Sequence, residues 1–186
     1  MNVYDFDKTI YKSDSSADFY FYSLKRHPSI LIFVPEVIIG FIKYYVFRKG
    51  TKTQFKTHVM KFASRVNLQK DIENFWKSHK KKIKKFYLEN QRDDDVIISA
   101  SPEFILEPIC KELGIKHLIC SQVEPATGEF QGLNCHGKEK VRRFYEIFPQ
   151  GEIDEFYSDS YSDTPLAEIA NKAFIVKGEK LSPWKF

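Results

Sequence analysis

The residues with the clearest chemical potential in this chain are two pairs of aspartates. Asp5 and Asp7 are two positions apart, so their carboxylates point to the same side of an extended segment. Asp159 and Asp163 form a second pair near the other end of the chain. Like charges held together are costly unless a cation neutralises them, and Mg²⁺ binds carboxylates together with water and substrate phosphate. The four aspartates are therefore candidate ligands of a Mg²⁺ ion.

Hydroxyl groups and lysines accompany these carboxylates, and this combination favours phosphoryl transfer. Thr9 follows the first pair, and Ser99 ends an apolar run. Phosphoryl transfer depends on positioning and on neutralising charge. One carboxylate can attack phosphorus to form an aspartyl phosphate, while a second acts as acid and then as base. Each feature alone is common on protein surfaces or at strand ends, so the prediction depends on their combination.

This chemistry requires elements that bring distant residues together, and strands are predicted to end at each polar cluster. Strands are predicted over residues 2–6, 96–98, 116–120, 156–158 and 174–176. Helices are predicted between them, over residues 101–113, 139–148 and 165–171. Alternating strands and helices indicate a parallel α/β sheet. Ligands of such sheets bind beyond the carboxyl ends of the strands, where the clusters at 5–9, 99–101 and 159–163 would lie.

Residues 15–90 show a different pattern, with few strand signals and many helix-compatible residues. Ser15 and Ser16, followed by an aromatic run, indicate a helix start. Further helices are predicted over residues 54–62 and 71–88. The stretch 30–47 is apolar, but a proline, a glutamate and a lysine interrupt it. We therefore expect a buried or interfacial helix there rather than a membrane span.

Charge is distributed unevenly along the chain. Residues 12–92 carry 18 Lys and Arg against 6 Asp and Glu, whereas the remainder carries 11 against 19. The densest basic run is at residues 80–85. Such a run is ordinarily a solvated helix face, and an anionic lipid or nucleic-acid surface is the alternative. No RNA- or DNA-binding module surrounds it, so we expect no nucleic-acid partner, and peripheral contact with an anionic membrane is the alternative we retain.

The composition indicates one domain, or one domain with a large insertion. The chain has 186 residues, of which 42% are hydrophobic and 29% charged, as in globular proteins. These values exclude a collagen, a long disordered chain and a disulfide-stapled miniprotein. The three cysteines and five histidines lack the spacing of zinc sites. The first residues show no signal-peptide pattern, so we expect a cytoplasmic protein with reduced thiols.

Taken in order, the motifs resemble those of the haloacid dehalogenase (HAD) superfamily. Residues 5–9 (DFDKT) resemble its DxDxT motif, residues 96–99 (VIIS) its second motif, and residues 159–163 (DSYSD) its DxxxD motif. The stretches SASP at 99–102, GEFQG at 128–132 and CHGKEKV at 135–141 resemble the phosphoserine-phosphatase-like branch. The resemblance covers nearly the whole chain.

The resemblance implies a Rossmann-like core with an inserted all-helical cap. The core would comprise residues 1–13 and 91–186, and the cap residues 14–90. Asp5 would be the nucleophile that becomes phosphorylated. Asp7 would protonate the leaving oxygen and then activate the hydrolytic water.

The resemblance also implies which residues hold the phosphate. Thr9 would steady the first loop, Ser99 would donate a hydrogen bond to the phosphoryl group, and the backbone amide of Ala100 would assist it. A lysine of the third motif would neutralise charge. Lys140 is favoured for this role because Phe144, four residues later, suits the helix pattern, and Lys138 is its rival.

The Mg²⁺ cofactor would be bound by the carboxylates of Asp5 and Asp159 and by the backbone carbonyl of Asp7. Asp163 would act through water or orient the lysine. The chain departs from phosphoserine phosphatases in Lys8, in the DSYSD sequence and in Asp14, where a substrate-sensing glutamate is frequent. We therefore expect a phosphorylated substrate that is a small molecule or is linked to lipid.

Three other functions fit parts of the sequence. A phosphotransferase would pass the aspartyl phosphate to an acceptor other than water. A phospho-accepting receiver domain also uses an acidic cluster, a hydroxyl and a lysine, but the gap from Asp5 to Ser99 is too long for its compact crossover. A non-catalytic module would bind anions through the basic surface, yet every predicted catalytic position is filled. The leading prediction is a Mg²⁺-dependent phosphomonoesterase.

Overall fold

A computed structural model shows one six-stranded sheet with β1 near its centre. The structure describes residues 1–186, apart from the side chain of Lys52. The strand order is β3-β2-β1-β4-β5-β6. The strands are β1 (Asn2–Tyr4), β2 (Val96–Pro102), β3 (His117–Ser121), β4 (Ile153–Ser158), β5 (Ala170–Lys177) and β6 (Lys180–Pro183). The first five strands run parallel and β6 pairs antiparallel with β5, so the predicted α/β sheet is confirmed.

In the part of the chain that the structure describes, eight α-helices surround the sheet or precede β2. They are α1 (Ser15–Arg26), α2 (Val34–Phe41), α3 (Lys52–Met60), α4 (Leu68–His79), α5 (Lys85–Asn90), α6 (Glu103–Glu112), α7 (Lys138–Ile147) and α8 (Thr164–Ala167). Short 3₁₀ turns occupy Pro28–Phe33, Lys61–Arg65, Lys80–Lys82 and Tyr161–Asp163, and a π turn occupies Ile42–Val46. Five of these α-helices lie between β1 and β2 in the chain.

Local sequence explains where α1 and α3 begin. The Asp14 carboxylate caps α1 by accepting a hydrogen bond from the Ala17 amide at 2.9 Å. Thr51 and Gln54 form a reciprocal capping box at the start of α3. Both devices satisfy amides that the first helical turn leaves without a partner.

The sheet is buried on both faces. Val3, Val96 and Ile98 pack into one apolar cluster, while Tyr4 and Ile97 pack into the other. The alternation follows from the two-residue period of strands, and burial on both sides is typical of parallel sheets. Helices α7 and α8 contribute to the first cluster, and α6 contributes to the second.

The helices between β1 and β2 share the second cluster with the sheet. Phe19 of α1 and Phe75 of α4 pack ring to ring in it, and Trp76 lies against Tyr11 after β1. The Trp76 indole donates a hydrogen bond to the Ile105 carbonyl of α6 at 2.6 Å. The inserted helices are thus fixed to the core by buried aromatic side chains, and the predicted boundaries of the cap stay a prediction.

Two predicted helices were wrong in extent, and one strand was missed. The helix predicted over 165–171 ends at Ala167, because Ala170 already pairs with Ile153 as the first residue of β5. The final antiparallel strand, β6, was not predicted. The helix predicted over 71–88 is interrupted at residues 80–84, where Ile83 forms a bridge with Tyr11. At the two helices, pairing with a segment elsewhere in the chain overrides local propensity.

The apolar stretch 30–47 is helical but exposed, so of the two expected alternatives the buried helix was wrong and the interfacial helix stays a prediction. Within the described residues, Pro28–Val46 is one helical stretch that is long and apolar enough to cross a membrane by length and composition. Its mean hydropathy is 1.8, and only 11% of it is buried.

Candidate active site

The topology of the sheet brings the predicted residues to one edge. β1 lies between β2 and β4, and all three run in the same direction. Asp5 directly follows β1, Ser99 lies near the end of β2, and Asp159 directly follows β4. The Asp5 amide continues the ladder by donating to the Tyr157 carbonyl at 2.9 Å. These residues, with Lys140 and Asp163, line one cavity of about 250 Å³.

The Asp5 carboxylate is buried and held by two donors. Oδ1 accepts a hydrogen bond from the Lys140 ammonium at 2.7 Å, and Oδ2 accepts one from the Thr9 hydroxyl at 3.1 Å. Burial raises the pKa of Asp5 to about 6, and the charge of Lys140 opposes this rise. The carboxylate is therefore ionised at neutral pH and aimed into the cavity, as a nucleophile must be.

Lys140 links the nucleophile candidate to the second acidic pair. Its side chain is 2% exposed, and Nζ donates to Asp163 Oδ2 at 2.8 Å as well as to Asp5. The Ser158 hydroxyl donates to the same Asp163 oxygen at 2.8 Å. Burial lowers the pKa of the Lys140 ammonium, but the two carboxylates outweigh it and hold that pKa above its ordinary value. Lys138, the rival lysine, is exposed.

The loop after β1 is fixed by hydrogen bonds from both sides. The Thr9 hydroxyl accepts from the Asp159 amide at 2.9 Å, which ties the ends of β1 and β4 together. Lys8 has a φ of 59°, in the left-handed region that favours glycine. The buried Lys84 ammonium donates to the Lys8 carbonyl and holds this turn. This hydrogen bond stabilises the turn with lysine at position 8, where the chain departs from the resembled motif.

Asp7 occupies a different environment from Asp5. Oδ1 accepts a hydrogen bond from the Ser15 amide at 2.6 Å, and Oδ2 accepts one from the Ser101 hydroxyl. Burial raises the pKa of Asp7 to about 7, and the nearby Asp14 carboxylate adds to the rise, whereas the two hydrogen bonds oppose it. Both protonation states are thus accessible near neutral pH, which suits a residue that donates and later accepts a proton.

The end of β2 supplies a hydroxyl and backbone groups. Ser99 is buried, and its Oγ accepts a hydrogen bond from the Ser101 amide at 3.1 Å. The hydroxyl proton of Ser99 is therefore available to a ligand in the cavity. Ala100 lines the cavity, and its carbonyl accepts from Lys56 Nζ of α3 at 3.0 Å. An inserted helix thus contributes a cation to the wall of the site.

The carboxylates that line the cavity are the candidate ligands for Mg²⁺. Among the described residues, no group of three or more His, Cys, Asp or Glu side chains is arranged to hold a metal ion. All four predicted ligands line the cavity. Asp7 accepts hydrogen bonds from Ser15 and Ser101, and Asp163 accepts them from Lys140 and Ser158, whereas Asp5 and Asp159 directly follow the neighbouring strands β1 and β4. Burial raises the pKa of Asp159. Because Mg²⁺ commonly takes one or two carboxylates with water and substrate phosphate, Asp5 and Asp159 fit the ion.

Four residues of the site had no role in the sequence-based prediction. Ser101 donates a hydrogen bond to Asp7 and Ser158 donates one to Asp163, and Lys56 and Lys84 donate to backbone carbonyls at the cavity edge. Ser101 lies within the polar cluster at the end of β2, which was a usable signal. Lys84 belongs to a run of lysines that look alike in sequence, so only the fold distinguishes it.

The raised pKa of Asp7 predicts how this residue affects stability. A carboxyl whose pKa is higher in the folded state binds its proton more tightly there. Its contribution to the stability of the fold is therefore full below the pKa of the unfolded chain and is lost as pH rises through about 7. Asp7→Asn should therefore reduce, by several degrees, the fall in melting temperature between about pH 5 and about pH 8.

This prediction is checked by thermal unfolding in chelator, with Asp154→Asn as the matched control. The Asp154 side chain is 44% exposed and ion-paired with the N-terminus, and these contacts lower its pKa, so its replacement should not reduce the fall in melting temperature. An unchanged pH dependence in Asp7→Asn would contradict the assignment.

Comparison with known proteins identifies the family. The family model of haloacid dehalogenase-like hydrolases matches residues 3–168. The chain belongs to this family. Among curated relatives of this hydrolase, Protein CicA of Caulobacter vibrioides is 28% identical over 192 residues, covering 91% of this chain and 82% of that protein. The family expected from the motifs is confirmed.

Solved structures share the fold of this hydrolase. A protein of unknown function from Bordetella pertussis Tohama I superposes with a TM-score of 0.75 at 20% identity, covering 93% of this chain and 87% of that one. A substrate-bound phosphoserine phosphatase superposes with a TM-score of 0.60 at 13% identity, covering 92% and 82%. At these identities the likeness concerns the fold alone.

Proposed function

We propose that this hydrolase is a Mg²⁺-dependent phosphomonoesterase that acts through an aspartyl phosphate on Asp5. The observation that carries the proposal is the buried Lys140 ammonium, 2.7 Å from Asp5 and 2.8 Å from Asp163, in a cavity that Asp7 and Ser99 also line. Two findings support a phosphatase. The family consists of hydrolases, and the cavity places a buried ammonium, which can bind an anion, beside an ionised carboxylate.

In the first step, a carboxylate oxygen of Asp5 attacks phosphorus. The bond from phosphorus to the ester oxygen breaks, and protonated Asp7 delivers its proton to that oxygen, releasing an alcohol. Lys140 and the Ser99 hydroxyl offset the negative charge of the transferring phosphoryl group. A Mg²⁺ ion held by Asp5 and Asp159 would neutralise further charge on the phosphate.

In the second step, water attacks the aspartyl phosphate. Asp7, now ionised, accepts a proton from that water as the new bond to phosphorus forms. The bond between phosphorus and the Asp5 oxygen breaks, which releases inorganic phosphate and restores both carboxyl groups to their starting states. Ser15 and Ser101 hold Asp7 in one orientation through both steps.

The substrate we propose is a phosphomonoester on a small or lipid-linked molecule. The cavity of about 250 Å³ accommodates a phosphate group and part of its carrier. Lys56 contributes positive charge to the wall, and Met60 and Phe130 contribute apolar surface. This lining suits a carrier that combines an anionic group with an apolar portion.

Removal of divalent metal should abolish hydrolysis of p-nitrophenyl phosphate, and added Mg²⁺ should restore it. Asp159→Asn should raise the Mg²⁺ concentration required for half-maximal rate by about tenfold or more, the scale seen when metal sites are impaired. A titration of rate against free Mg²⁺ measures this.

The matched control is Asp154→Asn, which removes an exposed carboxylate outside the cavity. Fluoride complexes that mimic a phosphoryl group should raise the melting temperature only when Mg²⁺ is present. Full activity in chelator, or an Asp159→Asn variant with an unchanged Mg²⁺ requirement, would refute the metal assignment.

A further inference from the structure

The segment of residues 28–47, called here the apolar segment, presents a surface that the rest of the described chain leaves uncovered. Ile32, Ile39 and Phe47 are each about two-thirds exposed. Between residues 30 and 47, only Ile30 and Gly40 are buried. Soluble monomers rarely expose contiguous apolar patches of this extent, and such patches mark protein or membrane interaction sites.

The apolar segment is fixed to α3, so its surface is held in one shape. The Glu36 carboxylate accepts a hydrogen bond from Lys61 at 2.5 Å and lies 2.8 Å from His58 Nδ1. At Gly40, a Cβ atom would lie 2.8 Å from the His58 ring, which shows how closely α2 packs there. The ring of Phe55 on α3 packs against aromatic rings of the segment.

Positive charge accompanies the apolar surface. Residues 25–52 contain six Lys and Arg but only one acidic residue, Glu36. That glutamate is already paired with Lys61. Five of the cations are exposed: Lys25, Arg26, Lys43, Arg48 and Lys49. Apolar side chains flanked by cations favour the surface of an anionic bilayer, where burial of apolar area and electrostatic attraction act together.

We propose that the apolar segment docks on an anionic lipid bilayer and lies in its interface without crossing it. Crossing would carry Glu36 and Lys43 into the hydrocarbon and would break the contacts of Glu36 with His58 and Lys61. A second copy of the chain suits this surface less well, because a symmetric interface would set the same cations against one another.

Docking on this surface would bring the catalytic cavity close to the lipid. Helix α3 contacts the apolar segment through Phe55, and its Lys56 and Met60 line the cavity. Only one helix therefore separates the docked surface from the site. The docking itself does not depend on the proposed function, because an inactive protein carries the same surface.

Flotation with vesicles tests the proposal. The full chain should bind vesicles that contain phosphatidylglycerol and not vesicles of phosphatidylcholine alone, and added salt should weaken the binding. Ile39→Asp and Val46→Asp should each reduce binding by about tenfold or more, since each places a charge where an aliphatic side chain would insert. The matched control is Leu88→Asp on α5, at a residue that is 50% exposed and outside the segment.

The results of these experiments distinguish docking on a bilayer surface from binding of a second copy and from a spanning helix. Equal melting temperatures and equal hydrolysis of p-nitrophenyl phosphate in the three surface variants would show that only docking has changed. Asp5→Asn should bind vesicles like the wild type even though it is inactive. Failure to bind, or equal binding to neutral and anionic vesicles, would overturn the proposal. A dimer in sedimentation that Ile39→Asp abolishes, without vesicle binding, would assign the surface to a second copy. Resistance to alkaline carbonate extraction would show a spanning helix instead.

Discussion

Asp5→Asn should lower the rate of p-nitrophenyl phosphate hydrolysis by about four orders of magnitude or more, the scale typical of removing a catalytic nucleophile. An amide oxygen is too weak a nucleophile to displace the ester oxygen from phosphorus. The change is isosteric, and the side-chain amide oxygen of the variant could still accept from Lys140, so we expect the fold to persist. The measurement is kcat at saturating Mg²⁺, with thermal unfolding to confirm the folded state.

Asp154→Asn serves as the control for the same chemical change. That carboxylate is exposed and pairs with the N-terminal ammonium and Arg92, far from the cavity lining. Its activity should equal that of the wild type. If Asp5→Asn retained a rate within about tenfold of wild type while folded, Asp5 could not be the residue that attacks phosphorus.

Lys140→Met should impair both stability and activity. The ammonium is buried between Asp5 and Asp163, and its removal leaves two buried carboxylates without a counter-charge. Breaking a buried ion pair by removing one partner destabilises proteins by about 3–5 kcal/mol. Urea unfolding near neutral pH measures this loss. The deficit should shrink as pH falls, because protonation removes the uncompensated negative charges.

Two further variants separate stability from catalysis at this position. Lys140→Met combined with Asp163→Asn removes one unpaired charge, so it should recover part of the stability but none of the activity. Lys138→Met changes the exposed rival lysine two residues earlier and should resemble the wild type in both respects. A Lys140→Met protein as stable as wild type, or an equally impaired Lys138→Met protein, would contradict the assignment.

The parts of the site that follow strands were predictable from sequence. Asp5, Ser99 and Asp159 stand directly after or within compact apolar runs, and parallel strands place such positions at one edge of a sheet. The choice between Lys138 and Lys140 depended on helix phase. Lys140 shares the buried side of α7 with Phe144, one turn later, and that spacing was readable in advance.

Other features depended on contacts with other elements and did not follow from the local sequence pattern. The strand β6 owes its existence to pairing with β5, and residues 180–183 have no strong strand pattern. Lys84 holds the turn at Lys8 because an inserted segment crosses the first loop. The exposure of the apolar segment could not be predicted either, because an apolar run has the same sequence pattern whether it faces a core or solvent.

Chemical trapping during turnover tests whether Asp5 carries the phosphoryl group. Rapid acid quenching during turnover, followed by borohydride reduction, converts an aspartyl phosphate to homoserine, which peptide mass spectrometry locates in the chain. We predict homoserine at position 5 in wild-type protein supplied with substrate and Mg²⁺, and none without substrate. Turnover with no trapped residue, or with phosphate found on Ser99 instead, would contradict the mechanism.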